Sequence, residues 1–273
     1  MTTTTVQPQA PAVTPVTVTR ARALLASEWI KLRSVRSTYL TMAAAVVASI
    51  GISAISSATV SGYATAPPQV RAQFDPFART LSGLAFAQLA FGVLGALAIS
   101  SEYGTGMIRT SLAAVSNRRS VLAAKAAVLA IIVTPLALVV SFASFLLGQA
   151  LLHSNKVSAT LATPGALTAV LGAAGFLIAV TLLGLGLGAV IKHSAGAITA
   201  VTGMVLLLPL ALGQFPPPWN VRLERLMPYL SPVISRHVSA PGEFTPGIAL
   251  LVSAVWTAAA VAAGLFLITR RDA

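Results

Sequence analysis

Six long stretches of the chain are continuously apolar, and they decide its class before any motif is considered. They run at about 38–59, 80–100, 123–152, 165–191, 195–214 and 247–269. Each has the roughly 20 residues that a helix needs to cross the hydrocarbon core of a bilayer. In lipid every backbone N–H and C=O must be bonded within the protein, so a spanning segment is either a helix or a strand of a closed barrel. Barrel strands alternate apolar and polar residues, and these stretches do not. The expected fold is an all-α polytopic membrane protein with six transmembrane helices. The chain is 56% hydrophobic and only 9% charged, whereas a soluble domain carries about 25% charged residues.

The first 37 residues precede the apolar runs. Residues 1–19 carry no charge and hold Pro8, Pro11 and Pro15, which disfavour a continuous helix; a disordered tail is expected, and not a signal peptide. Residues 20–37 read as an amphipathic interface helix. Leu25, Trp29 and Leu32 share a stripe, and Lys31, Arg33 and Arg36 are placed to reach lipid headgroups. The plainer alternative is a basic flank that only orients the first span. Residues 38–273 then form the six-helix transmembrane domain.

Charge gives the orientation. The net charge is +12, which in a soluble protein would suggest nucleic acid. In a membrane protein, Lys and Arg collect in cytoplasmic loops, so no nucleic-acid partner is inferred. With both termini on one side, that side holds twelve of the 18 Lys and Arg residues. The chain is therefore expected to be multi-pass in the cell membrane with both termini cytoplasmic. Residues 101–125 then form a cytoplasmic loop. Residues 215–246 lie outside, and their length calls for one or two short helices.

The loop at 101–125 concentrates Glu102, Arg109, Arg118, Arg119 and Lys125. Ile108, Leu112 and Val115 recur there at helical spacing. Such a helix is either a plain connector or a contact handle for a cytosolic partner. In the second reading Glu102, Thr105, Ile108, Arg109, Leu112 and Val115 are the partner-coupling residues. Catalytic chemistry is not apparent. The six spans are read as free of intramembrane Asp, Glu, Lys and Arg, which argues against an ion-coupled carrier. His153, His193 and His237 fall in separate loops, and there is no cysteine, so no metal or other cofactor is expected. No Gly-x-x-x-x-Gly-Lys-[Ser/Thr] loop occurs, so any ATP must be bound by another subunit. The chain is read as not an enzyme.

Three stretches resemble ABC-2 type transporter permeases of the actinobacterial kind: Ser27–Thr38, Glu102–Arg109 with Arg118-Arg119 and Leu122–Lys125, and Met227–Pro232 with the terminal Arg270-Arg271-Asp272-Ala273. The resemblance implies a coupling helix between spans two and three. It also implies a cytosolic ABC ATPase subunit as partner and a second permease copy, as a homodimer in the lipid membrane. The implied function is an ATP-driven exporter subunit moving an amphipathic or apolar substrate. The alternatives are a non-transporting membrane scaffold or regulator, and an ion-coupled secondary carrier. Many relatives have a proline after the coupling helix where this chain has Ser116.

Overall fold

A computed structural model describes residues 17–34, 36–60, 63–108, 110, 118–153, 157–228, 230–235 and 245–270. The long helices are α1 (Thr17–Ser34), α2 (Arg36–Ala58), α3 (Leu84–Gly104), α4 (Arg118–Leu152), α5 (Ala166–Ile191), α6 (Ser194–Leu212) and α7 (Pro246–Arg270). Six of them, α2 to α7, are long and apolar enough to cross a membrane. The described residues contain no strand. Helix begins at Thr17, slightly earlier than the expected end of the tail.

The centre of the bundle is α5, packed by α3, α7 and α4. Lipid tails are as apolar as leucine side chains, so spanning helices associate through close packing rather than through the hydrophobic effect. Glycine makes this possible here. A Cβ on Gly95 of α3 would collide with the carbonyl of Thr181, and one on Gly184 of α5 with the carbonyl of Gly92. The two backbones touch, which fixes α3 against α5 more rigidly than side-chain contact would. On the other flank of α5, Thr257 of α7 donates its hydroxyl to the Ala179 carbonyl at 2.9 Å. Large apolar residues such as Leu40, Val47 and Ile55 of α2 and Leu251 and Val255 of α7 stay exposed, as lipid-facing positions should.

Two prolines interrupt the ladders differently. Pro135 lies inside a continuous α4, and the neighbouring Thr134 hydroxyl donates to the Ala130 carbonyl at 2.8 Å. Pro209 lies in α6, where residues Gly203–Leu207 form a π turn and the Leu208 N–H bonds to the Gly203 carbonyl. Pro209 has no N–H for the Val205 carbonyl, and the wider turn takes up the mismatch. At the end opposite α1, Asp75 caps the short helix Pro76–Thr80 through the N–H groups of Phe77 and Ala78. Its other oxygen accepts from Ser235 at 3.0 Å. Gln149 of α4 donates to the Pro76 carbonyl at 3.3 Å and accepts from Ala159 N–H at 2.6 Å. Residues Trp219–Glu224 and Leu230–Ile234 form two short helices between α6 and α7.

One expectation is corrected. The spans are not free of ionisable groups, because Glu102 lies on α3 and Lys125 on α4, both buried. The helix of α4 starts at Arg118, so Lys125 is two turns inside it rather than at the edge of a loop. Burying an ion costs most when it is left unpaired, and these two are paired.

Candidate functional site

The site is built by three helices that meet at the α1 end of the bundle. On α1, Glu28 and Lys31 are one turn apart and share a face, and the Lys31 ammonium binds Glu28 Oε1 at 2.7 Å. The last turn of α3 carries Glu102, whose Oε1 accepts from Lys31 at 3.2 Å and from Lys125 at 2.8 Å. On α4, Lys125 also donates to Glu28 Oε2. Among the described residues the result is a group of two carboxylates and two ammonium ions. Glu28 is 2% exposed and Lys125 1%, whereas Lys31 retains 30% side-chain exposure. Lys125 is thus the inner cation and Lys31 the outer one.

Burial opposes ionisation of Glu28, but the adjacent Lys125, and then Lys31, outweigh it and hold the carboxyl below its ordinary value. For Lys31 burial likewise opposes the charge. The hydrogen bond to Glu28 and the charge of Glu102 overcome it and raise the ammonium above its usual range. Both groups are charged at neutral pH. Glu102 Oε2 is buried without a hydrogen-bond partner, so the whole demand on this carboxylate falls on Oε1 and its two lysines. Beside the cluster a cavity of about 530 Å³ runs along α3, with Lys31, Glu102 and Lys125 at one end and Leu89, Val93 and Leu97 along its wall.

The residues singled out in the sequence divide here. Glu102 and Lys31 enter the cluster. Thr105 is exposed just past α3, its hydroxyl bonded to the Ser101 carbonyl at 3.0 Å. Ile108 is 2% exposed, whereas the neighbouring Met107 is exposed. Arg109, Leu112 and Val115 lie outside the described residues. On α1, Leu25 and Trp29 are exposed and Leu32 is half-buried against the core. Arg33 and Arg36 lie on α1 and at the start of α2, with side chains outside the described set. Glu28 and Lys125 were not among the candidates. Two signals could have found them. Acidic residues number only six in the whole chain, so one placed in an apolar context needs a partner. Lys125 follows Leu122-Ala123-Ala124 and precedes a long apolar run.

The fold and this site define a multi-pass helical membrane protein whose N-terminal helix is braced by ions to the mouth of the bundle. The family model described as ABC-2 family transporter protein matches residues 24–209, well over half of the 273-residue chain. The chain belongs to this ABC-2 transporter family, and it is a membrane transport subunit rather than an enzyme. The match includes Glu28, Lys31, Glu102 and Lys125. Comparison with curated proteins gives no significant match.

Proposed function

We propose that the chain is the membrane-spanning permease of an ATP-driven exporter. It sits in the cell membrane with both termini cytoplasmic, and a separate cytosolic ATPase subunit docks on the connection between α3 and α4. Two copies of the chain pair, and an amphipathic or apolar substrate passes out along them. The observation that carries this reading is the rooting of that connection. It leaves α3 three residues after Glu102 and enters α4 seven residues before Lys125, and these two residues are bonded to each other and to α1. A force on the connection cannot move one helix end alone without leaving a buried ion unpaired, a state costing about 3–5 kcal/mol. The cluster therefore makes α1, α3 and α4 respond together, which is what a partner without its own membrane span requires. An ABC transporter assembly also implies the ATPase partner, since this chain has no phosphate-cradling loop.

The test is purification from cells that co-express the chain with a cytosolic ABC ATPase subunit from the same cell, followed by reconstitution in lipid nanodiscs. The expected result is a stable complex whose ATP turnover exceeds that of the ATPase alone. A chain that purifies alone under these conditions, with no change in ATP turnover on mixing, refutes the proposal.

A further inference from the structure

Lys192 ends α5 with φ 60° and ψ 6°. It is the one non-glycine residue with positive φ among the described residues. Helices often close in this left-handed conformation, but usually with glycine, because a Cβ there meets the backbone. A lysine in this place keeps strain that glycine would relieve. Its backbone does nothing a glycine could not do, since the N–H bonds to the Gly188 carbonyl at 2.9 Å. Its side chain does more. The ammonium lies 5.1 Å from the centroid of the Tyr103 ring, within range of a cation–π contact. The Tyr103 hydroxyl oxygen is buried with no hydrogen-bond partner, so the face of the ring is the part in use. One turn earlier on α3, Ser100 Oγ lies 3.0 Å from Ser194 Oγ at the first residue of α6.

The last turn of α3 is thus held on two sides. Glu102 joins it to α1 and α4, and Ser100 and Tyr103 join it to the tight turn between α5 and α6. We infer that Lys192 and Tyr103 are positioning residues that pass a displacement of the end of α3 on to α6. The inference rests on the transport reading above, in which the connection after α3 receives the force. It adds a contact at the end of α3 through which α6 is moved, beside the direct packing of α3 on α5 and α6.

The test uses the full-length chain with its ATPase subunit in nanodiscs, driven by Mg-ATP and vanadate. The chain has no cysteine, so Leu210→Cys, on an exposed position of α6, can be labelled alone with an environment-sensitive fluorophore. Lys192→Gly relieves the backbone strain and is expected to keep or raise the thermal midpoint of the complex. It should at the same time cut the ATP-driven fluorescence change, and the permease-dependent rise in ATP turnover, by about fivefold or more, the lower end of ordinary coupling between sites. Tyr103→Leu should act in the same way, and Tyr103→Phe, which keeps the ring face, should retain the response. An unchanged response in Lys192→Gly overturns the inference. So does a loss of response that comes with a lower thermal midpoint, since that marks structural support alone. A wild-type complex that binds its ATPase but gives no ATP-driven signal on α6 and no rise in turnover refutes the transport reading itself, and the inference with it.

Discussion

Replacing Lys125 by methionine tests the ion cluster most directly. Methionine keeps the length and the apolar stem but removes the charge. The Lys125 ammonium lies 2.8 Å from Glu102 Oε1 and also binds Glu28. At an effective dielectric of 20, one such pair has a gross attraction of about 6 kcal/mol, most of which offsets desolvation. After substitution, two enclosed carboxylates share the single partly exposed Lys31, and the expected net loss is about 3–5 kcal/mol. Lys31→Met leaves both carboxylates bonded to the inner cation. Its cost should be nearer that of one hydrogen bond to a charged group, about 1.5–3 kcal/mol, reduced by its exposure. Thermal unfolding of the purified protein in detergent measures both. Adding Glu28→Gln to Lys125→Met should recover part of the loss, because it removes one of the unpaired charges. If Lys125→Met unfolds no earlier than Lys31→Met, or if Glu28→Gln makes it worse, the ranking of an inner and an outer cation is refuted.

Three further outcomes follow from the same geometry. Glu28 has a lowered carboxyl value, so its contribution is present above about 4.5, its ordinary value, and is lost as pH falls through the folded value. Lys31 is raised, so its contribution is complete below about 10.5 and is lost as pH climbs through its folded value. The thermal midpoint should therefore be level across neutral pH and fall on both sides, and Glu28→Gln should flatten the acid side; an unaltered acid limb in that variant would remove Glu28 from the account. Gly95→Ala should destabilise by about 1–3 kcal/mol or more, as overpacking does, because its Cβ meets the Thr181 backbone. Gly51→Ala, which meets nothing within 4 Å, should gain up to about 1 kcal/mol on the same unfolding assay, and equal behaviour of the two would contradict the close α3–α5 crossing. If the connection after α3 seats in the ATPase, Leu112→Asp should abolish co-purification while the six spans still insert, read by labelling of introduced cysteines; a complex of normal yield would place the contact elsewhere.

The six spans were legible because continuous apolarity over twenty residues admits few folds. What the chain hid was which side of an amphipathic helix faces protein. For a soluble helix the apolar stripe must face the core. For α1 the stripe of Leu25 and Trp29 can lie on lipid, which frees the side bearing Glu28 and Lys31 to turn inward. Periodicity identifies both faces and cannot choose between lipid and protein. The same ambiguity applies to Ile108, whose apolar side chain suits a partner's cleft and its own chain equally. Lys125 was masked by a boundary. Arg118 and Arg119 look like loop residues, yet helix starts there, and that carries Lys125 into the bundle. Pro209 brings no N–H to the ladder of α6, but the π turn before it is a response of the backbone that no residue type signals by itself.

The two kinds of contact in the bundle perform different tasks, and the membrane explains why. Between α3 and α5, glycines let backbones touch, and the many short contacts hold the pair in one arrangement. That solution is closed to α1. Its exposed Leu25, Trp29 and Ile30 gain nothing by choosing protein over lipid, so apolar contact alone would leave α1 free to slide or roll at the surface of the bundle. Charges are different, because Glu28 and Lys31 find ionic partners on α3 and α4 in only one register. An ion cluster of this kind adds less to stability than a well-packed apolar group of the same volume would. What it adds is position. The rigid glycine-packed pair and the ion-braced helix meet at a single place, the last turn of α3, where Gly95 is two turns away and Glu102 is already in the cluster. A displacement applied there reaches the packed centre and the N-terminal helix together, and in the function proposed above the adjoining connection is where the cytosolic partner would apply it.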